Sequence, residues 1–220
     1  AVALAAAGRK ENIYQLMYNV SKLLQNSKVN VRVIQRVGLP GETIELFERS
    51  FNKIYNLGAD EFDIEVLRIK KGTMFRQKAD EFGYEYSREY PNEVITNDYI
   101  SAANIVRIKL VAETVRTFEH GFENSISKIM FDTGMKPFDF FDGLTSFVME
   151  NDLSCKIGKA ENLYRIIYTY AADLYDKNED TLKLQILQEV LHSDMNNNVS
   201  QDVIRRLERK GWEIHVKAKS

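Results

Sequence analysis

The stretch Val29-Asn30-Val31-Arg32-Val33-Ile34-Gln35-Arg36-Val37-Gly38-Leu39-Pro40-Gly41-Glu42-Thr43 decides how the rest of the chain is read. Val29, Val31 and Val33 alternate and Val37 resumes their face, so 29–37 reads as a strand. In Gly38-Leu39-Pro40-Gly41, Pro40 fixes φ and Gly41 permits a positive one, which makes a turn. Thr43 then caps a helix with the apolar stripe Ile44, Phe47, Phe51, Ile54 and Tyr55, and Gly58 follows as its terminator. Phe62, Ile64 and Val66 alternate against Asp63 and Glu65, a second strand. Strand, crossover helix and strand form a βαβ unit with parallel neighbouring strands.

Upstream, Ile13, Leu16, Met17, Val20, Leu23 and Leu24 recur at three- and four-residue spacing and predict a helix over 10–26. The Ala-rich start, 1–8, lacks a basic region and a full apolar core, so it reads as a tag or poorly defined segment rather than a signal peptide. Downstream, Thr73 after Gly72 caps a short helix to Phe82, stopped at Gly83. Residues 84–100 hold Tyr84, Tyr86, Tyr90, Pro91 and Tyr99 with no period, and read as an ordered, aromatic-anchored connection and the domain boundary. From Ser101 every periodic segment is helical, with Pro137 opening one helix at its first turn and Ser200 capping the last. The predicted fold is α/β followed by all-α: 9–83 as the α/β part, 84–100 as the connection and 101–220 as a helical bundle.

Composition narrows the function classes. The 220 residues are 44% hydrophobic and 28% charged, ordinary for a chain with a real core. A net charge of −2 argues against a non-specific nucleic-acid binder. No apolar run approaches the ~20 residues that span a bilayer. The single cysteine, Cys155, excludes an internal disulfide and any multi-cysteine metal or cluster site within these residues. It also fits a reducing, cytoplasmic setting.

Gly38-Leu39-Pro40-Gly41-Glu42-Thr43 between strand and helix resembles the fifth strand and loop of a radical S-adenosylmethionine (radical SAM) barrel. The second strand, Lys71-Gly72-Thr73, the short helix and Phe82-Gly83-Tyr84 resemble the sixth strand and final helix of the same barrel. Pro91-Asn92-Glu93-Val94 and Pro137-Phe138-Asp139-Phe140-Phe141 look like the helical extension of cobalamin-binding members labelled as relatives of the anaerobic magnesium-protoporphyrin monomethyl ester cyclase. The resemblance implies a partial barrel, its last two parallel strands, followed by a helical domain. It implies S-adenosylmethionine, a four-iron four-sulfur cluster held by three cysteines and, in some members, cobalamin. One cysteine cannot hold three irons, so the resemblance implies no cofactor held by this chain alone and a fragment that is silent without the rest of its barrel.

By the same resemblance Arg36, Gly38, Leu39, Pro40, Gly41 and Glu42, with Gly72 and Thr73, face the cofactor side of the barrel mouth. From the residues alone, Gly38–Glu42 serves equally as a strand-to-helix turn, and Thr73 as a helix cap. The family usually has an acidic residue where Ile34 stands and an apolar one where Arg36 stands. Arg36 therefore stacks on an adenine, pairs with a carboxylate, or marks a changed site. His120, His192 and His215 show no ligand spacing, and Phe138, Phe140, Phe141 and Phe147 line either a tetrapyrrole pocket or a helix core. The near-continuous apolar run at 62–69 implies a strand edge that a second copy or the chain's own helical domain would cover. The competing function is a non-catalytic helical interaction module.

Overall fold

β1 (Arg32–Val37) and β2 (Glu61–Val66) run parallel, in register from Arg32 opposite Glu61 to Val37 opposite Val66. They belong to a computed structural model that describes residues 12–25, 28–175 and 181–216; the 1–8 expectation lies outside these. β1 starts later than the valine pattern suggests. The Val31 N–H donates to Asp60 Oδ2 at 2.7 Å and the Glu61 N–H to the Val31 carbonyl at 3.3 Å, so the ladder begins where β2 begins. The preceding helix, α1 (Ile13–Leu24), is capped by Asn12, whose Oδ1 accepts from Tyr14 and Gln15.

α2 (Ile44–Tyr55) is the crossover, with Thr43 Oγ1 accepting the Leu46 N–H at 3.4 Å. Its apolar stripe buries Phe47 and Phe51 with Val37, Phe62, Ile64 and Val66, and the Phe51 and Phe62 rings meet edge-on at 5.1 Å. At ~25 cal/mol per Å², burying these six side chains is the unit's main stabilising term. Gln35, buried among them, is satisfied at Nε2 by Ser50 Oγ at 2.7 Å and the Phe47 carbonyl at 3.3 Å. The alternate positions, Arg32, Ile34 and Arg36, are exposed on the other side of β1.

Two expectations downstream are corrected. α3 is one turn only, Met74–Gln77, because Lys78 already leaves helical geometry and the chain continues through turns to Gly83 at φ +61. The positive φ selects glycine at Gly83, and a Cβ there would also push the exposed Asp98 side chain aside. Residues 84–100, expected as an ordered connection, contain strands of their own. β3 (Glu85–Tyr86) and β4 (Val94–Thr96) pair antiparallel across a bulge, and Arg68 bridges to Glu93. The Val94 N–H donates to the Leu67 carbonyl and the Ile69 N–H to the Asn92 carbonyl, both at 2.9 Å. The segment expected to connect domains is thus stitched to the continuation of β2, and the end of the 62–69 edge finds its partner in the same unit.

The chain divides into two compact units, one through Glu113 and one from Thr114, and the division falls inside α4 (Ala102–Phe118). The sequence reading had put the change at 84–100. Ser101 caps α4 as expected, accepting the Asn104 N–H at 3.3 Å.

The second unit is helical: α5 (Glu123–Thr133), α6 (Pro137–Glu150), a 3₁₀ turn (Ser154–Lys156), α7 (Ala160–Leu174), α8 (Thr181–Asn198) and α9 (Gln201–Lys210). Pro137 occupies the first turn of α6, and Gly134 at φ +69 ends α5. Two buried carboxylates tie the helices. Asp194 of α8, 1% exposed, accepts from Ser125 Oγ at 2.6 Å, the Ser125 N–H at 3.0 Å and Asn124 Nδ2 at 2.7 Å, and so caps the start of α5. Glu161 of α7 lies between Lys210 at 2.8 Å and Arg206 at 3.4 Å, and the Lys210 hydrogen bond holds it below the usual carboxylate range. The chain beyond α9 is strapped along α7: Arg165 donates to the Gly211 and Glu213 carbonyls, and Trp212 packs on Tyr168 and His192. Among the described residues no helix is long and apolar enough to cross a membrane.

Asp194→Ala leaves three donors without their acceptor in a dry site, so it should cost about 2–4 kcal/mol. Urea unfolding followed at Trp212, the single tryptophan, reads this unit directly. A loss under about 0.5 kcal/mol, the scale of an ordinary surface substitution, would contradict the assigned role.

Candidate functional site at the carboxyl end of the parallel strands

In parallel α/β units, chemistry collects at the carboxyl ends of the strands, where loops leave the sheet. Here the loop after β1 is a closed turn. The Glu42 N–H donates to the Leu39 carbonyl at 3.1 Å, with Pro40 second and Gly41 third at φ +76, the geometry of a type II turn. Gly38 just before it stands at φ +93, and a Cβ there would meet Val94 Cγ1 at 3.4 Å and Leu67 Cβ at 3.7 Å.

Gly38 is the hub of the loop. Its carbonyl accepts the Tyr84 hydroxyl at 2.8 Å and Asn97 Nδ2 at 3.1 Å, and both side chains are buried. Asn97 reaches the other way as well, with Oδ1 accepting the Tyr99 and Ile100 N–H groups at 2.9 and 3.0 Å. One amide side chain therefore locks the Gly38 loop to the chain just before α4. Burial pushes the Tyr84 hydroxyl above the usual tyrosine range, and the nearby Glu42 charge pushes the same way.

Glu42 is the anomaly of the site. The residue is 6% exposed, and its Oε2 has no hydrogen-bond partner among the described residues. Burial pushes its carboxyl up to about 7, against the opposing pull of the Leu39 and Gly38 backbone amides. Gln35 Oε1 is the other buried oxygen left without a partner.

The remaining predicted residues separate from this hub. Arg36 is half exposed and pairs with Glu65 on β2 at 3.3 Å, so of its three readings the structure takes the carboxylate pair. Arg32 repeats the arrangement with Glu61 and Asp63. Leu39 is half-buried and Pro40 buried within the turn. Gly72, exposed at φ +80, serves a turn, and Thr73 Oγ1 accepts the Arg76 N–H at 3.4 Å while donating to the Lys70 carbonyl at 2.7 Å. Thr73 is a helix cap whose bonds stay within its own turn. Tyr84 and Val94 stood out in the sequence for other reasons and Asn97 not at all, and none of the three was expected at the Gly38 loop. The signal for Asn97 was an Asn placed to turn the chain four residues before the Ser101 cap, a common local role for that side chain.

The only thiol, Cys155, is exposed, and among the described residues no group of three or more His, Cys, Asp or Glu side chains converges on a metal-sized point. The cluster does not fit. For S-adenosylmethionine the fit is no better: Gly38 already spends its carbonyl on two protein donors, Arg36 is paired, and among the described residues of the loop Glu42 Oε2 is the buried side-chain atom without a hydrogen bond. His120 and His215 are exposed and His192 sets its ring edge on Trp212. Phe138, Phe140, Phe141 and Phe147 are buried, and Phe140 and Phe147 pack on Tyr170 at 5.6 and 5.4 Å, so the phenylalanine stripe is helix core.

Removing the Tyr84 donor should cost about 1 kcal/mol, since Asn97 still meets the Gly38 carbonyl, and Asn97→Ala should cost more, since it also strands the Tyr99 and Ile100 N–H groups. Tyr84→Phe and Asn97→Ala share one acceptor, and only the double variant leaves the buried Gly38 carbonyl without a donor, so it should cost more than the sum of the singles. Denaturant titration of the three variants measures this; strict additivity would show that the two donors do not act on one carbonyl.

The comparisons with known proteins are narrow. No curated protein matches the chain. A family model described as a protein of unknown function, DUF4080, matches residues 80–218, which is more than half of the chain. The match takes in Tyr84, Val94 and Asn97, the residues that clamp Gly38, together with the whole helical unit. The chain belongs to the DUF4080 family.

Proposed function

We propose that the chain is the carboxyl-terminal part of a radical SAM iron–sulfur enzyme, supplying the last two parallel strands of its barrel and a helical domain, and that it has no catalytic activity alone. The observation that carries this reading is the parallel β1–α2–β2 unit. Its apolar side is filled by α2, while Arg32, Ile34 and Arg36 stand exposed on the other side of β1. Parallel strands occur almost only in sheets covered on both faces, and two strands cannot close a barrel. The partner in this proposal is the remainder of the barrel, adding strands in the cytoplasm, where three cysteines of that remainder hold the cluster. Tetrapyrrole substrates and cobalamin belong to some relatives in the resemblance. With the phenylalanine stripe buried in the helix core, the proposal stops at the enzyme class.

A second reading, a non-catalytic helical interaction module, is favoured by the self-sealed loop, where Tyr84 and Asn97 take the Gly38 carbonyl and Glu65 takes Arg36. Two experiments separate them. The coding sequence upstream of residue 1 contains CxxxCxxC under the first reading and lacks it under the second. Anaerobic cluster reconstitution should load no iron on the 220-residue chain and about four irons per chain on a form extended to include that motif. Four irons on the 220 residues alone would overturn the fragment reading. Pairing with a second copy is the other way to cover a bare sheet, and light scattering at tens of micromolar distinguishes it by giving twice the monomer mass.

A further inference from the structure

Glu42 is the one carboxyl of the Gly38–Glu42 loop, and its position is costly in either protonation state. Ionised, it would be a desolvated charge with backbone amides on one side and, on the other, a buried oxygen without a hydrogen-bond partner among the described residues. Neutral, it fits the dry site with a single unpaired atom. Beyond the Leu39 and Gly38 backbone amides, the side chains packed beside it offer a charge no compensation. Tyr84, across the loop, is a phenol held neutral; Asn97 spends both its amide nitrogen and its oxygen on backbone; and Val94 and Leu67 at Gly38 are apolar. On its own element, Thr43 is committed to capping α2, and Glu45, in the first turn, is fully exposed and of the same sign. The turn that holds Glu42 inward is closed by one backbone hydrogen bond, from its own N–H to the Leu39 carbonyl. Its anchor at Gly38 is independent of that bond, since the Tyr84 and Asn97 donors act one residue earlier.

We propose that the Leu39–Glu42 turn is a proton-operated latch, closed with the Glu42 carboxyl neutral and buried, and open when that proton leaves and the carboxylate turns to water. The Gly38 clamp stays made in both states, so only the four-residue turn moves and the βαβ unit keeps its fold. The direction follows from linkage. A carboxyl that binds its proton more tightly when buried favours the closed form at low pH and loses that preference as pH rises through neutrality. Opening frees the mouth of β1 and presents a carboxylate there, so whatever group meets this loop meets a different surface at pH 6 than at pH 8. This inference does not depend on the radical SAM reading.

Hydrogen exchange on the full chain, corrected for the intrinsic pH dependence of exchange, tests it at the Glu42 amide. Protection of that amide should fall by about tenfold or more between pH 6 and pH 8.5, while the Leu67 amide, bonded to the Val37 carbonyl, stays protected. Glu42→Gln should keep the Glu42-position amide protected at both pH values. Unchanged protection in the native chain, or the same pH-dependent loss in the Gln variant, would overturn the latch. If the variant does not fold, a carboxyl-carbon NMR titration of the native chain replaces it. A Glu42 step near neutrality that coincides with shifts of the Leu39 and Glu42 amides supports the latch, and a step in the ordinary carboxylate range refutes it.

Discussion

The structure of the first unit depends on one carbonyl. Gly38 leaves β1 with a positive φ, which turns its oxygen inward, where Tyr84 and Asn97 both donate to it. A φ of +93 is one that residues with a Cβ rarely adopt, so the dihedral itself selects glycine here. The two donors come from chain almost fifty and sixty residues downstream, so this acceptor joins the βαβ unit to the segment that follows it. The backbone bonds between Leu67–Ile69 and Asn92–Val94 run beside the clamp and share its purpose. Without them the parallel pair would present the end of β2 bare.

That arrangement explains which parts of the fold were legible in the sequence. The valines of β1, the stripe of α2 and the alternation at Phe62, Ile64 and Val66 announced a parallel βαβ unit because each element is long enough to show its period. The bundle helices were legible for the same reason, helped by Pro137 and Gly134 at their ends. β3 and β4 were not. Two- and three-residue strands have no room for alternation, and what holds them is pairing with chain that sequence proximity does not reveal. The same limit placed the unit boundary at 84–100, although that segment is bonded back onto the strands and the compact units divide inside α4.

The candidate site divides in the same way. Gly38 through Glu42 was legible as a loop at the carboxyl end of a strand, since Gly and Pro mark it. Its partners were not, because the value of Tyr84 and Asn97 lies in reaching Gly38 across the fold. Arg36 shows how a charge that looks misplaced in one strand becomes ordinary beside its neighbour: Glu65 sits opposite it in register. Gly72 and Thr73 carried signals that a turn and a cap fully explain. Glu42 is the exception, a residue marked by the sequence whose burial leaves an oxygen with nothing to bind.

The account therefore turns on whether the segment expected to be a linker is a structural part of the α/β unit. Native-state hydrogen exchange at the Ile69 and Val94 amides answers this most directly, with the Leu67 amide of the parallel ladder as the internal standard. The account predicts that all three exchange with the same opening free energy, as one cooperative unit. Exchange of Ile69 and Val94 at the rate of an open loop, with Leu67 still protected, would contradict it.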